Sequence, residues 1–358
     1  MFTEKEEKII QCAKNPALGP QIAVIGGGTG LSTVLRGLKL FSNNLTAIVT
    51  VADNGGSSGM LREDLGILPP GDIRNCILAL ADTEPLMSDL LNYRFSDGRL
   101  KGQNFGNLLI AAMNAISGNF YDAVRNVSKV LAVKGRVLPV SLQDLQISAR
   151  LRDGTVIDGE SEIGHRTPAL QNDIVELSMK PSDAKALPDA IQALSMADVI
   201  VLGPGSLYTS IIPNLLFPEI RQAIKSSQAT KIYVCNLMTQ PAETMGYNAA
   251  QHLKAMLNHI GQANSADFVD YCVVNNAWID RQQIARYRLE SATPVLAERG
   301  SIEALGPHMV DVPLACITNG VIRHDHMLLG RVILRLAMEH LEHQTYRHQV
   351  TELKRVAK

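Results

Sequence analysis

Residues 21–53 decide the fold, and they read QIAVIGGGTGLSTVLRGLKLF followed by SNNLTAIVTVAD. The first apolar run ends in glycines, which is typical of a buried parallel strand that leads into a turn. Apolar residues then recur at helical spacing, and a second apolar run follows them. Strand, helix and strand in this order form a βαβ unit with a right-handed crossover. The stretch therefore predicts a parallel sheet covered by helices.

The same succession of strand, polar turn and helix recurs within residues 197–257, while residues 72–133 are mostly helical in pattern. One segment differs, because residues 136–180 alternate between polar and apolar side chains and contain Asp153-Gly154, a signal for a type I′ hairpin turn. The sequence thus predicts an α/β fold. Its core is a doubly wound, mostly parallel, Rossmann-like sheet with a helical cap region at 72–133 and a small antiparallel β insertion at 136–180.

The length of 358 residues and a hydrophobic fraction of 46% allow one large domain or two smaller ones. We predict a single nucleotide-binding domain over residues 21–345. An N-terminal extension, residues 1–20, precedes it, and a C-terminal tail, residues 346–358, follows it. Symmetric self-association is common among proteins of this size, so we expect a homodimer.

The composition excludes two classes of protein. Lys and Arg number 34 against 35 Asp and Glu, and aromatic residues make up 4% of the chain, which argues against holding nucleic acid by charge or by base stacking. Five cysteines without a CxxC pair fit a reducing cytoplasm. No uncharged stretch reads as a membrane span, and the charged N-terminus does not read as a signal peptide. We therefore expect a cytoplasmic protein without membrane insertion.

The first chemical signal is the turn Gly26-Gly27-Gly28-Thr29-Gly30, which joins a strand to a helix. Glycines let the backbone approach a ligand closely, and a helix N-terminus stabilises a phosphate group. The pattern departs from both the dinucleotide fingerprint and the Walker loop, so it predicts a phosphate site of neither standard type. A tight turn without a ligand remains the alternative.

A second signal is Asp53-Asn54, which follows the second strand and opens a polar, glycine-rich stretch that we interpret as a loop. An acidic residue at this place binds ribose hydroxyls in dinucleotide folds, or holds Mg²⁺ beside a diphosphate. Asp72 is a further metal candidate, with a helix N-cap as the alternative. Arg74 in the same helix could pair with an anion.

Two asparagines, Asn104 and Asn107, flank a glycine before another helix. They could read a base or sugar edge, or merely cap that helix. The last signal is the turn Gly203-Pro204-Gly205-Ser206, followed by Tyr208, at the end of another buried strand. A second phosphate or a sugar fits such a turn, and Asn236 ends the next strand in position to line the same crevice.

Taken together, these stretches resemble a known family. IAVIGGGTGLS, VTVADNGGSSGMLR, PPGDIRN, QNFGNLL, DGES, GPGSLYTSIIPNLL, CNLMTQPAET and ITNGVIRHD look like the bacterial gluconeogenesis factor family. The resemblance implies a protein that binds UDP-N-acetylglucosamine and supports cell shape on gluconeogenic carbon sources. It also implies a fold similar to that of 2-phospho-L-lactate transferase. By analogy, the motif residues named above fall on the nucleotide site.

Two functions remain open from the sequence. No nucleophile with a partner base and no zinc pattern is evident, which favours a nucleotide-sugar-binding factor without turnover and with no certain cofactor. The alternative is a transferase that moves a phospholactyl group from a guanosine diphosphate donor with Mg²⁺, since such chemistry needs mainly positioning and charge neutralisation. A nicotinamide dehydrogenase is disfavoured because the third fingerprint glycine is missing. Glu160 and Glu162, in the insertion, fit a second-substrate wall or a solvated edge.

Overall fold

The computed structural model describes residues 4–82, 84–167, 173–265 and 267–339. The predicted C-terminal tail, residues 346–358, lies outside the described residues, as does the predicted end of the domain at residue 345. No helix in the described ranges combines the length and the apolar character that crossing a bilayer requires.

Within these described ranges, twelve strands make up three sheets. The strands are β1 (Ile22–Gly26), β2 (Leu45–Val49), β3 (Arg136–Pro139), β4 (Gln146–Leu151), β5 (Val156–Asp158), β6 (Ile174–Lys180), β7 (Val199–Leu202), β8 (Thr230–Val234), β9 (Tyr271–Asn275), β10 (His308–Val312), β11 (Ala315–Thr318) and β12 (Val321–His324).

The helices bear the labels α1 (Glu4–Lys14), α2 (Gly28–Leu38), α3 (Gly56–Leu65), α4 (Gly71–Leu80), α5 (Pro85–Asn92), α6 (Phe105–Ser117), α7 (Phe120–Val130), α8 (Glu160–His165), α9 (Pro188–Met196), α10 (Ile212–Leu215), α11 (Pro218–Ser226), α12 (Pro241–Thr244), α13 (Ala249–His259), α14 (Arg281–Leu289) and α15 (Arg299–Glu303). Residues 326–339 are also helical and form α16. A π-helical turn, Leu207–Ile211, runs directly into α10.

The main sheet has seven strands in the order β10-β9-β8-β7-β1-β2-β3, and every neighbouring pair is parallel. The chain winds outward from β1 through β2 to β3, then returns to the other side of β1 and winds outward again from β7 to β10. The direction therefore reverses between β1 and β7, which is the point where ligands bind in open α/β sheets. The predicted α/β fold class is confirmed.

Burial explains why these segments are strands. Every residue of β1, β2, β7 and β8 is buried, as expected of central parallel strands covered by helices on both faces. The apolar runs of Val, Ile and Leu therefore form the core of the molecule. The N-terminal extension also contributes to that core through Ile9 and Cys12 of α1.

Two predictions about the connection after β2 need correction. The stretch read as a polar loop after Asp53 is helical from Gly56 onward, because α3 begins there. The helical region is not a separate cap throughout, since α4 packs against α2 and against β2 and β3. α4 therefore belongs to the helical layer of the doubly wound fold, and so does α7, which packs against β3.

The antiparallel insertion is shorter than predicted. Residues 136–139 form β3 at the edge of the main sheet, parallel to β2, and three of the four are buried. The insertion proper is the three-stranded sheet β5-β4-β6, which begins at Gln146. Its hairpin turn is present at Asp153-Gly154, but only Gly154 has a positive φ, so the turn is not of type I′.

Candidate functional site

Both glycine turns lie side by side where the winding reverses. The first follows β1 and the second follows β7, and these strands are direct neighbours. A Cβ atom on Gly30 would collide with the carbonyl oxygen of Pro204, so the two turns touch through bare backbone. Together they line one cavity of about 390 Å³, which we call the switch-point cavity. The predicted convergence of the two turns is therefore confirmed.

The first turn presents a helix N-terminus to the switch-point cavity. Gly27 is the N-cap residue of α2, it offers no side chain, and the first turn of α2 holds no acidic residue. Gly28, Thr29 and Gly30 line the cavity. The opening N–H groups of a helix have no partner within it and carry partial positive charge, which suits a phosphate. The Asp72 carboxyl already accepts the Gly28 N–H, so a phosphate would bind the other N–H groups of this turn.

A buried carboxylate shapes the second turn. Glu243 of α12 accepts the backbone N–H of Tyr208 at 2.8 Å and the Oγ1 hydroxyl of Thr209 at 2.9 Å. Burial raises the pKa of Glu243, while these donors favour its ionised form. The carboxylate occupies the place that an anion would take at this helix start. Of this segment, Pro204, Gly205, Ser206 and Ser210 line the switch-point cavity, whereas Tyr208 and Thr209 do not.

Two amides brace that turn. Asn236 accepts the Gly205 N–H through Oδ1 at 3.2 Å and donates through Nδ2 to the Gly205 carbonyl at 2.9 Å. Gln240 donates through Nε2 to Ser206 Oγ at 2.7 Å. Asn236 lines the cavity as predicted, but its amide is engaged with the backbone. We assign it the role of holding the turn in shape.

The opposite wall was not anticipated from the sequence. Tyr287 of α14 and Arg323 and His324 of the β11–β12 hairpin line the same cavity. The hairpin turn, Asn319-Gly320, has a positive φ at both positions, and the Asn-Gly pair was the sequence signal that could have found it. The Tyr287 hydroxyl accepts the Ile322 N–H at 3.0 Å, which ties the helix to the hairpin.

The charge of the cavity comes mainly from this hairpin. Arg323 is exposed at the wall, and no carboxylate of the described residues pairs with it. Burial lowers the pKa of His324 to about 4, so its imidazole is neutral at physiological pH and adds no charge. The lining therefore combines one guanidinium and one helix N-terminus with one carboxylate, Glu290. Arg323 and the backbone N–H groups are the donors that a diphosphate would bind.

Most of the other predicted residues form a neighbouring group. Arg74 donates to Asn107 Oδ1 at 3.0 Å, and Asn107 donates through Nδ2 to Ser57 Oγ at 3.1 Å. The Asn104 side chain accepts the Asn107 N–H at 3.1 Å as the N-cap of α6, so the capping alternative is correct for its carbonyl. Asn54 accepts the Ser161 N–H at 2.8 Å and thereby holds the β insertion.

Besides that neighbouring group and the carboxylates Asp53 and Asp72, three more predicted residues do not line the switch-point cavity: Gly26, Gly203 and Tyr208. Tyr208 is buried in the core, where its hydroxyl lies 3.3 Å from the Ile174 carbonyl and 3.2 Å from the Tyr247 hydroxyl. Gly26 and Gly203 end their strands below the cavity floor, where the Gly26 carbonyl accepts the Thr50 N–H. Their role is to place the residues that follow them.

Asp53, Asp72 and Glu160 form a group of mutually repelling carboxyls, which we call the acid cluster. It adjoins the first turn, since a Cβ atom on Gly27 would lie 2.6 Å from Asp72 Oδ2. Asp72 sits in the first turn of α4, whose N-cap is Pro70, so the N-cap alternative for Asp72 is wrong. Burial, reinforced by Asp53, raises the pKa of Asp72 to about 6.

Glu160 extends the acid cluster from the β insertion. Burial raises its pKa to about 8, with Asp53 and then Asp72 adding to the effect. This burial disfavours the solvated edge for Glu160, and the second-substrate wall stays a prediction. The Glu162 side chain is exposed and accepts the Asn54 amide at 3.0 Å. The burial of Glu160 could not be predicted from the sequence, because a short helix shows too few turns for hydrophobic spacing to identify its buried face.

Mg²⁺ would find an incomplete site in the acid cluster. In the described ranges, no three or more His, Cys, Asp and Glu side chains are arranged to hold a metal ion. Mg²⁺ is commonly held by one or two carboxylates together with phosphate oxygens of a ligand. Asp53 and Asp72 fit that partial role, because a cation between them would relieve the repulsion that raises the Asp72 pKa.

We expect the unliganded protein to lose stability as pH rises. An acid whose folded pKa is raised stabilises the fold fully below its unfolded pKa, here 4.5 for Glu160, and loses that contribution as pH rises through about 8. Glu160→Gln should remove about 2–4 kcal/mol of this pH dependence. Urea unfolding at a series of pH values measures it, with exposed Glu63→Gln as the control. An unaltered slope in Glu160→Gln would contradict the burial of this carboxyl.

Comparison with known proteins agrees with the motifs. The family model of 2-phospho-L-lactate transferase CofD matches residues 22–315. The gluconeogenesis factor of Bacillus subtilis is 45% identical over 321 residues, which cover 89% of this chain and 99% of that protein. The chain belongs to the gluconeogenesis factor family. A relative from Thermoanaerobacterium thermosulfurigenes is 52% identical over 318 residues, covering 89% of this chain and 97% of the relative.

A solved structure shares the fold of this gluconeogenesis factor family member. The crystal structure of a Bacillus halodurans protein superimposes with a TM-score of 0.84 at 44% identity, covering 88% of this chain and 99% of that one. The resemblance that the sequence motifs predicted is therefore confirmed for the family and for its relation to the transferase family model.

Proposed function

We propose that this gluconeogenesis factor family member binds a nucleotide sugar, UDP-N-acetylglucosamine, without turning it over. On this proposal it supports growth and cell shape under gluconeogenic conditions. The observation that carries the proposal is the meeting of two backbone-only turns at the point where the sheet reverses direction. A ligand at this junction contacts backbone atoms rather than side chains. Glycine-rich turns bind diphosphates in the same way, through their backbone N–H groups.

The lining of the cavity combines two kinds of surface. The α2 N-terminus and the Pro204–Ser206 turn offer backbone and hydroxyl groups, and Arg323 adds a guanidinium. Leu237, Met238 and Tyr287 offer apolar and aromatic surface. A nucleoside diphosphate matches this polarity, since its phosphates need N–H donors and a cation while its base packs on apolar and aromatic surface. The resemblance of the motifs to the family supports uridine as the nucleoside.

Calorimetry with UDP-N-acetylglucosamine, GDP and NAD tests the ligand. We expect UDP-N-acetylglucosamine to bind at least about tenfold more tightly than the other two. Arg323→Ala should weaken that binding by about tenfold, because a charge-assisted contact to phosphate is lost. Arg331→Ala, an exposed arginine of α16, serves as the matched control. Tight binding of NAD alone would overturn the proposal.

A transferase activity is the second candidate, and the acid cluster favours it. A binding protein has no evident need for three repelling carboxyls beside its phosphate turn, whereas phosphoryl-type transfer uses such groups to hold Mg²⁺ and to orient an acceptor. The match to the 2-phospho-L-lactate transferase model supports the same reading. In that case Asp53 and Asp72 would hold the cation together with ligand phosphate oxygens.

Asp53→Asn separates the two candidates. If the protein is a transferase, an acceptor hydroxyl attacks the lactyl-side phosphorus of a lactyl-diphosphoguanosine donor and GMP leaves. With Mg²⁺, this donor and a deazaflavin alcohol as the acceptor, GMP release should fall by about two orders of magnitude in this variant. Glu63→Gln removes an exposed carboxylate that does not line the switch-point cavity, and it should leave the rate unchanged. If no product forms with the unaltered protein and Mg²⁺, the transferase is excluded and the binding role is unaffected.

A further inference from the structure

A second cavity lies beyond α14 from the first. This cavity, which we call the edge cavity, measures about 850 Å³ and opens at the carboxyl ends of β9 and β10. Tyr287 and Glu290 line the switch-point cavity, whereas Ile284 and Arg288 line the edge cavity, so α14 separates the two. The volume falls within the range of small-molecule sites, and the carboxyl ends of parallel strands are where such sites occur.

The rim of the edge cavity carries the single tryptophan of the chain. Trp278 is 77% exposed, and Leu296 across the cavity is 73% exposed. An indole ring left in water loses the stabilisation that burial gives an aromatic side chain of this size. The lining also contains the half-buried apolar side chains of Ile284 and Val295. An exposed indole beside apolar side chains suits the stacking of a flat ring.

Two guanidinium groups line the edge cavity, and neither is paired with a carboxylate of the described residues. Arg281 and Arg288 are two turns apart on one face of α14, and both are exposed and line the cavity. The one acid in the lining, Asp311, is engaged by Arg299 at 2.6 Å and by the Asn276 amide at 3.1 Å. The cavity therefore carries net positive charge.

The adjoining sheet edge is closed to an added strand. Arg299 donates to the Met309 carbonyl at 2.8 Å, and Glu303 accepts the Met309 N–H at 3.3 Å. These contacts occupy both backbone groups of Met309, with which a docking peptide strand would otherwise pair. A compact ligand is therefore favoured over an extended peptide.

We propose that the edge cavity is a second binding site, for a nucleoside monophosphate whose base stacks on Trp278 and whose phosphate binds Arg281 and Arg288. Stacking needs a flat ring, and guanidinium groups prefer phosphate oxygens, so one ligand of this class satisfies both features. The site is independent of the nucleotide sugar proposed for the switch-point cavity, and neither proposal requires the other.

Trp278 emission reports this site directly because the chain has no other tryptophan. We expect AMP, GMP or UMP, titrated to about 5 mM, to quench the emission along a saturable curve. Arg281→Glu combined with Arg288→Glu should raise the half-saturating concentration by at least about tenfold. Lys254→Glu combined with Arg331→Glu makes the same charge change at exposed sites elsewhere and should leave the curve unchanged.

Three outcomes would overturn the proposal. One is the absence of saturable quenching with all three nucleotides, and another is an equal curve in the Arg281→Glu, Arg288→Glu variant. The third is loss of quenching in Gly30→Ala, a variant that alters only the switch-point cavity, while its circular dichroism shows a folded protein. Calorimetry with UDP-N-acetylglucosamine on the unaltered protein judges the first cavity separately, so failure of one proposal is not failure of the other.

Discussion

Glu243→Ala should lower the free energy of unfolding by about 2–5 kcal/mol. The carboxylate is buried and accepts from the Tyr208 N–H and the Thr209 hydroxyl, so its removal leaves two buried donors without a partner. Each unsatisfied donor costs free energy because water cannot reach it. The π-helical turn that follows the second glycine turn would lose its anchor, and ligand binding should weaken with it.

Chemical denaturation measures the loss of stability, and Glu243→Gln provides the matched variant. Its amide oxygen still accepts one of the two donors, so we expect an intermediate loss of stability. Glu63→Ala removes an exposed carboxylate and should change the unfolding free energy by less than about 0.5 kcal/mol. Equal stability of Glu243→Ala and the unaltered protein would mean that the second turn is held by other contacts.

Gly30→Ala should abolish ligand binding at the switch-point cavity. A Cβ atom at this position would collide with the Pro204 carbonyl oxygen, and backbone cannot move aside as a flexible side chain can. The two turns must separate to admit the methyl group, at a cost of about 1–3 kcal/mol in stability. Since the phosphate donors lie on both sides of this junction, a shift of this size removes their common geometry.

Thermal shift with saturating UDP-N-acetylglucosamine measures this effect, because a ligand that binds only the folded state raises the melting temperature. Gly164→Ala is the control, since a Cβ atom there meets no atom within 4 Å. We expect ligand-induced stabilisation in the control and none in Gly30→Ala. A full ligand-induced shift in Gly30→Ala would show that the meeting of the turns is not needed for binding.

Much of the fold was predictable because burial on both faces leaves a local trace. Continuous apolar runs such as Ile22–Gly26 read as buried parallel strands without reference to any other segment. The same reasoning failed at residues 136–139, where a short edge strand of the main sheet precedes the insertion. Local alternation does not reveal which sheet a strand joins, because its pairing partner β2 lies far away in the chain.

The site was predictable to a lesser extent. The glycine turns at Gly27–Gly30 and Pro204–Ser206 could be identified from the sequence, since close approach of two backbone segments requires glycine. Tyr287 gave no such signal, because a tyrosine in a helix is ordinary in any surface segment. Arg323 lies in the quoted motif ITNGVIRHD, but nothing in that motif marked its side chain as part of the site. Tyr208 gave a false signal, since a hydroxyl residue after a glycine turn points to the core or to the ligand according to the helix that follows.

By itself, the sequence determined the parallel strands, the glycine-rich turns that end them and the family to which the chain belongs. The reason is that apolar runs, turn chemistry and motif spacing are properties of contiguous residues. Only the tertiary structure decided that β1 and β7 are neighbours, that Glu243 fills the helix start after the second turn, and that Asp53, Asp72 and Glu160 repel one another. Those facts depend on distances between segments remote in the chain, which folding sets and local pattern does not record.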